Sequence, residues 1–352
     1  MTKSICFFGS YNKTHRTHSL MAGLRAHDLV VEECYDNSRK PMKYLRLFAK
    51  HWKLRHAYDY LMVGFPGHGL MLLARLITRK PIIFDPFISL YNTTVEDRGH
   101  ATKWSLKAWR ASLLDTWSMR MADIVLADTQ AHVEYYVSTF RVSRKKCIVV
   151  PVGANDAFVK AYTKNEPRQS DAPFSVRFYG TFSPLQGVSA IVSAAALLRN
   201  ESDIVFTLLG HGQTLADAKA LHATLQVPNL SFVESRVPID ELVQFIQEAD
   251  VCLGIFGGTA KTKMVVPHKV YDALALGKVV LTADTPAIRT FFTHKENIVV
   301  CKDADPEDIA RHIVELRDNA ALRAHIAHHA RAITEARFVP KQIVTNLIDH
   351  IA

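Results

Sequence analysis

Lys269 and Asp272 stand three residues apart in the stretch "VVPHKVYDALALGKVVLTAD", residues 265–284. On a helix that spacing puts both side chains on one face. Near a helix start, where backbone N–H groups and the positive end of the dipole also point outward, an ammonium is equipped to hold a diphosphate. The alternative is a solvated lysine, set against that dipole at a cost of roughly 0.3–1 kcal/mol. Pro267 fits the first turn, where its missing N–H is harmless, and Gly277 fits the exit. Just upstream, "FGGTAKTKMVVPHK" adds two glycines, Lys261 and Lys263, so amides and lysines together match a pyrophosphate.

Other loops offer related chemistry. "YGTFSPLQGVSAI" turns from strand into helix at Gly187, with Gly180 and Thr181 at the strand end, and presents backbone N–H groups to an anion. "GHG", starting at Gly210, reads either as part of that site or as a tight strand-to-helix turn. In the first half, "GSYNKTHR" places Gly9, where backbone can approach a ligand closely, beside Tyr11 and Arg16, which could touch a phosphate or an acceptor. His68 in "GFPGHG" is a reaction-centre candidate or a helix-entry residue, and Asp85 in "FDPFISLYNTTVEDR" is a catalytic candidate or a cap of the following turn.

These loops must be held by strands and helices. Apolar runs such as "SICFFGS", "YDYLMVGF" and "PIIFDPF" alternate with helical stretches such as "THSLMAGLRAHD" and "SLKAWRASLLDTWSMRMA" up to Gly153. Residues 154–173 lose this periodicity and read as a linker. The same grammar restarts with "FSVRFYG" and runs through "DIVFTLLG", "VCLGIFG" and "KVVLTAD". The expectation is α/β architecture with two doubly wound, parallel-sheet, Rossmann-like domains facing a cleft, at 1–153 and 174–335, with 336–352 as a final helix returning to the first domain. Ligands bind beyond the carboxyl ends of such strands, where every loop named above belongs.

With 352 residues, 48% hydrophobic and 22% charged, the chain has the composition of a globular protein with two cores. No apolar run is long enough to span a bilayer and the N-terminus lacks a signal peptide's pattern, so a cytoplasmic location is expected. The five cysteines show no zinc spacing; reduced packing residues and no metal site are expected. Net charge is uneven: +11 over residues 1–152 and −2 over the rest. Seven Lys or Arg fall between Arg39 and Arg55 with no acid, while Leu45, Phe48 and Trp52 follow helical spacing. That segment is either a core-packed helix with a solvated basic face or one that lies on an anionic membrane. A nucleic-acid partner is not expected, because the aromatics follow a packing stripe.

The order of several loops resembles a bacterial glycosyltransferase of family 4, the retaining kind with the GT-B fold, over nearly the whole chain. The resemblance rests on "VRFYGTFSPLQGVSAIVSAAALL", "FTLLGHGQ", "FVESRVPIDELVQFIQEADVCLGIF", "PHKVYDALALGKVVLTADTPAIRTFF" and the terminal "RFVPKQIVTNLIDHI". It implies that a nucleotide diphosphate sugar lies against the second-domain loops, including Arg236 and Val237, with Asp272 on the ribose. The family's sugar-side glutamate falls on Met264, and its usual Arg and Lys after the first strand fall on Thr181 and Gln186. A subgroup with the wording P-x-K-x-Y-D/E, met here by Pro267, His268, Lys269, Val270, Tyr271 and Asp272, is similar in placing its cation on the later helix. The resemblance thus implies Lys269 for the phosphate, and Asp85 near a position where the family often has a histidine.

The implied reaction is transfer of a sugar, with retention, to a glycan or lipid-linked acceptor in cell-surface polysaccharide synthesis, without a cofactor. The alternatives are a nucleotide-sugar epimerase of the same fold and a catalytically silent nucleotide-binding homologue.

Overall fold

The computed structural model describes residues 3–10, 14–39, 41–162 and 172–351. The chain divides into two compact units: one runs to Gly153 and resumes at Val339, the other runs Ala154–Phe338.

In the first unit, β1 (Ser4–Gly9), α1 (His15–Arg25), β2 (Val30–Tyr35), α2 (Met42–Leu54), β3 (Tyr60–Val63), α3 (Met71–Ile77), β4 (Ile82–Phe84), α4 (Leu106–Met121), β5 (Ile124–Ala127), α5 (Gln130–Phe140) and β6 (Cys147–Val149) follow in order. The strands form one parallel sheet, β2-β1-β3-β4-β5-β6. Its inner strands β1, β3, β4 and β5 are apolar on both faces because helices cover both, while edge strand β2 carries Glu32 and Glu33. Side chains alternate across β1: Ile5 and Phe7 pack with Leu20 and Leu24 of α1. Cys6 and Phe8 face the opposite layer, with Leu47 of α2, Met71 of α3, Met119 of α4 and Tyr136 of α5.

The second unit begins with α6 (Asp156–Lys160), capped by the Asn155 side chain, so part of the stretch expected as a structureless linker is helical. It continues through β7 (Phe174–Phe182), α7 (Val188–Leu197), β8 (Ile204–Gly212), α8 (Leu215–Leu225), β9 (Leu230–Val233), α9 (Ile239–Gln247), β10 (Val251–Leu253), α10 (His268–Ala275), β11 (Val279–Ala283), α11 (Pro286–Phe291), β12 (Val299–Cys301), α12 (Pro306–Asp318) and α13 (Ala320–Arg337). The parallel order β12-β11-β10-β7-β8-β9 runs outward in both directions from β7 and β10. Chain direction across the sheet therefore reverses between those two strands, the switch point at whose carboxyl ends such sheets bind ligands.

The expected single helix over 336–352 is instead the end of α13 followed by α14 (Pro340–Ile343) and α15 (Thr345–Ile351), with Pro340 opening the new helix. These two pack with α1: Gly23 leaves room for the Pro340 carbonyl, which would lie 2.1 Å from a Cβ there.

Candidate functional site

The loops after β7 and β10 meet at the crevice of the second sheet and are stitched together by backbone. Phe256 N–H donates to Gln186 O at 3.0 Å and Gly257 N–H to Leu185 O at 3.2 Å. Gly187, at φ +64°, leads into α7 so close to this strand that a Cβ would lie 2.4 Å from the Phe256 carbonyl carbon. Neither α7 nor α10 has a side-chain cap. Two uncapped helix starts beside one crevice form a setting for an anion.

Lys269 reaches into this place from α10. It is 3% exposed, which removes the solvated alternative. Its Nζ donates to Gln186 Oε1 at 2.6 Å and lies 3.6 Å from the centre of the Phe178 ring. Tyr179 fixes the same residue from the backbone side, its hydroxyl donating to Lys269 O at 2.8 Å. Gly180 is what lets the ammonium pass: at φ +143°, its Cβ would stand 2.9 Å from Nζ. Gly210 pairs with Gly180 across β7 and β8, and a Cβ there would lie 1.9 Å from Gly180 O. "GHG" therefore serves close strand packing under the site.

No carboxylate among the described residues forms an ion pair with Lys269. Burial pushes its pKa well below the usual lysine range. An amide oxygen and an aromatic face stabilise an ammonium only in part, so an arriving anion would complete its environment.

The other expected residues divide. Pro267 is the cap residue just before the helix, His268 is exposed, and Tyr271 is buried among Phe292 and Phe338. Asp272 is buried and its Oδ1 accepts the Asn155 N–H at 3.2 Å; burial raises its pKa well above the carboxylate range, and the Asn155 N–H partly offsets this. Lys261 is buried in the turn at 259–264 and Lys263 is exposed, so of the three lysines it is Lys269 that reaches Gly180 and Gln186. Met264 is buried and Thr181 exposed. Exposed Arg236 donates through Nε and Nη2 to Nε2 of His211, at 3.1 and 2.9 Å, and Val237 is half-buried. Two donors on one nitrogen make that nitrogen the acceptor, so His211 carries its proton on Nδ1.

In the first unit, Gly9 ends β1 at φ +147° and Tyr11 lies outside the described residues. Arg16 corrects its expected role. It is 1% exposed, chelates Asp85 through Nε and Nη2 at 3.2 and 3.3 Å, and donates through Nη1 to Val150 O and Pro151 O. Four bonds commit its guanidinium to the wall, leaving Asp85 as half of a buried ion pair rather than a turn cap.

His68 is also buried, with Nε2 3.1 Å from Asp115 Oδ1 and its ring edge-on to Phe84. Sequence reading missed Asp115. Placed on α4 among buried small residues, it accepts from Ser89 Oγ at 2.7 Å and from the N–H groups of Leu90 and Tyr91. Its signal was a lone acid within "SLLDTW", on the inner face of an otherwise acid-free helix. Asp128 and His132, also missed, pair at the start of α5, which Thr129 caps. Tyr136 lies next to them; burial first, then the charges of Asp128, Asp85 and Asp115, raise its hydroxyl well above its usual pKa.

A family model described as "Glycosyl transferase 4-like domain" matches residues 5–153, and one described as "Glycosyl transferase-like" matches residues 192–349. No curated protein sequence matches the chain. Among solved structures, HepE of Anabaena in complex with UDP and glucose is 16% identical with a TM-score of 0.70, covering 100% of this chain and 99% of its own. Sucrose-phosphate synthase of Thermosynechococcus elongatus is 14% identical with a TM-score of 0.72, covering 99% and 98%. The lipopolysaccharide outer core galactosyltransferase WaaB, in its apo form, is 14% identical with a TM-score of 0.66, covering 99% of both chains. At such identities the likeness establishes the fold.

Proposed function

Because the chain belongs to the GT-B glycosyltransferases, we propose that it is a retaining hexosyltransferase of family 4, in the subgroup with the P-x-K-x-Y-D/E wording. Its donor is a nucleoside diphosphate sugar and its acceptor a glycan or lipid-linked glycan of cell-surface polysaccharide synthesis. The observation that carries this reading is Lys269, a buried amine with no carboxylate partner among the described residues, beside Gly180 and two uncapped helix starts. HepE, of the same fold, is known with UDP-glucose bound, which makes that sugar nucleotide the first donor to test.

In this mechanism the bond between the anomeric carbon and the diphosphate oxygen breaks while the acceptor oxygen bonds to the same face. The acceptor proton passes to the departing phosphate. Lys269 and the loop amides stabilise the charge that grows on that leaving group, an electrostatic contribution of the kind worth about 2.7–4 kcal/mol per donor. Asp272 holds the ribose, and in the first unit Asp85, oriented by Arg16, is the catalytic candidate. A sugar grip without a carboxylate at Met264 relies on other groups.

Turnover of UDP-sugars with and without a glycan acceptor tests the proposal. Acceptor-dependent release of UDP, with the product's anomeric configuration matching the donor's by NMR, is expected. Acceptor-independent conversion to an epimeric sugar nucleotide, or donor binding with no turnover for any UDP-, GDP- or ADP-sugar, would overturn it.

A further inference from the structure

The chain contains four tryptophans, Trp52, Trp104, Trp109 and Trp117, and all four are exposed on or beside α2 and α4 of the first unit. Among the described residues sixteen large apolar side chains are exposed, and twelve of them belong to α2, α3, or α4 with its lead-in. The remaining four lie on separate elements, as scattered surface apolars ordinarily do. On α2, Leu45, Phe48 and Trp52 form an outward stripe, whereas Leu47 and His51 face the core. Of the two readings of that stripe, packing against the core is excluded, because it faces out. On α3, Leu72 and Leu76 project outward one turn apart, and on α4 so do Leu106, Trp109, Leu113 and Trp117.

These helices share one layer. Leu47, Met71 and Met119 all enter the core on the same sheet face, so the opposite sides of α2, α3 and α4 present a common outer surface. Its charge has one sign. Arg46, Lys53, Lys107 and Arg110 are exposed on it, α2 and α3 contain no acid, and the single acid of α4, Asp115, is fully buried. A protein partner or a second copy would need acids opposite these cations, and a second copy brings the same basic face. A lipid bilayer with anionic headgroups meets both properties, because tryptophan prefers the membrane interface and cations prefer anionic lipid.

We infer that the outer face of α2, α3 and α4 docks on an anionic bilayer, burying its tryptophans and leucines at the headgroup level. This partner is separate from the donor reading, since vesicle binding requires no turnover. Every tryptophan of the chain lies on α2 or α4 or in the lead-in to α4, so tryptophan fluorescence reports on this part of the first unit. Titrating the intact protein with phosphatidylglycerol-containing vesicles should shift its emission to the blue and carry it upward in flotation. Phosphatidylcholine vesicles should do neither. Arg46→Gln with Lys53→Gln should lower the partition coefficient about 30-fold, from roughly 1 kcal/mol per basic residue near the surface. Trp109→Ala with Trp117→Ala should weaken binding while leaving the circular dichroism spectrum unchanged. No emission shift with anionic vesicles, or equal binding to both lipids, overturns the inference. So does a lipid-free, concentration-dependent dimer that the tryptophan variant dissolves.

Discussion

The ammonium of Lys269 lies 2.6 Å from the side-chain oxygen of Gln186, so helix α10 delivers its positive charge to the loop after β7. Gln186 stands where the resembled family carries a lysine.

Lys269→Ala should therefore lower turnover by about 10²-fold or more, from the loss of one electrostatic donor to the leaving phosphate. Adding Gln186→Lys should restore part of that loss, since the new lysine starts from the residue the old one touches. Steady-state kinetics on the single and double variants decide it. A double variant no better than Lys269→Ala would mean that the amine's position on α10, rather than its charge near this loop, matters.

Lys269→Met should make the unliganded protein more stable and less active together. Burial lowers the folded-state pKa of this lysine below its unfolded value. The unfolded chain therefore binds more protons, so this group makes stability rise with pH across that interval and costs most on its acid side. Replacing it by a similarly sized apolar side chain should gain about 1–4 kcal/mol near neutral pH, with the gain shrinking as pH rises. Urea unfolding of both proteins across the neutral to alkaline range measures this. A Lys269→Met protein less stable than the parent at neutral pH would contradict it.

Gly180 and Gly210 should fail in different ways when mutated to alanine. Both hold a positive φ that alanine resists, at about 1–3 kcal/mol. Beyond that, the new methyl at 180 meets the flexible end of Lys269, while the one at 210 meets the fixed carbonyl of Gly180. Gly180→Ala should fold and show impaired turnover as the amine is displaced. Gly210→Ala should lose stability by more than Gly180→Ala, and thermal melts alongside kinetics separate the two.

Asp115→Ala should loosen the segment from Asp85 to Asp97. One buried carboxylate accepts from the Ser89 hydroxyl and two backbone N–H groups, with His68 Nε2 3.1 Å away. Removing it leaves buried donors unmatched at about 1–3 kcal/mol each. Unfolding should shift accordingly, and hydrogen exchange at Leu90 and Tyr91 should accelerate more than at β4. Unchanged protection at those two amides would reject the role.

The architecture was legible because continuous apolar runs bounded by glycine and proline can hardly be anything but strands covered on both faces, and because amphipathic helices alternate with them. The loops at the strand ends followed from that order. What periodicity cannot tell is which side of a stripe the sheet takes. On α2 the spacing of Leu45, Phe48 and Trp52 is that of a core stripe, yet Leu47 and His51 fill the interior. Lys269 stands out in sequence as a misplaced charge, but its burial depends on Gly180 and Phe178, 89 and 91 residues earlier in the chain. Arg16 looked like a ligand contact because sequence gives no hint that Asp85 and the carbonyls of Val150 and Pro151 converge on it. Asp115 gives no such signal by type alone, because a single acid in a long helix ordinarily faces water.

Helix α4 separates two properties that usually travel together. Besides Asp115 and Met119, its inner residues are Ala108, Ala111 and Ser118, small enough to let the helix lie close to the sheet, while its tryptophans and leucines point away. Bulk added at the alanines would crowd the core, whereas a polar residue in place of Trp109 or Trp117 removes nothing the interior uses. Met119 apart, the large apolar positions of this helix, which a core stripe would ordinarily occupy, are therefore the ones folding can spare. Whatever Trp109 and Trp117 do for this protein, the packing of its interior does not depend on it.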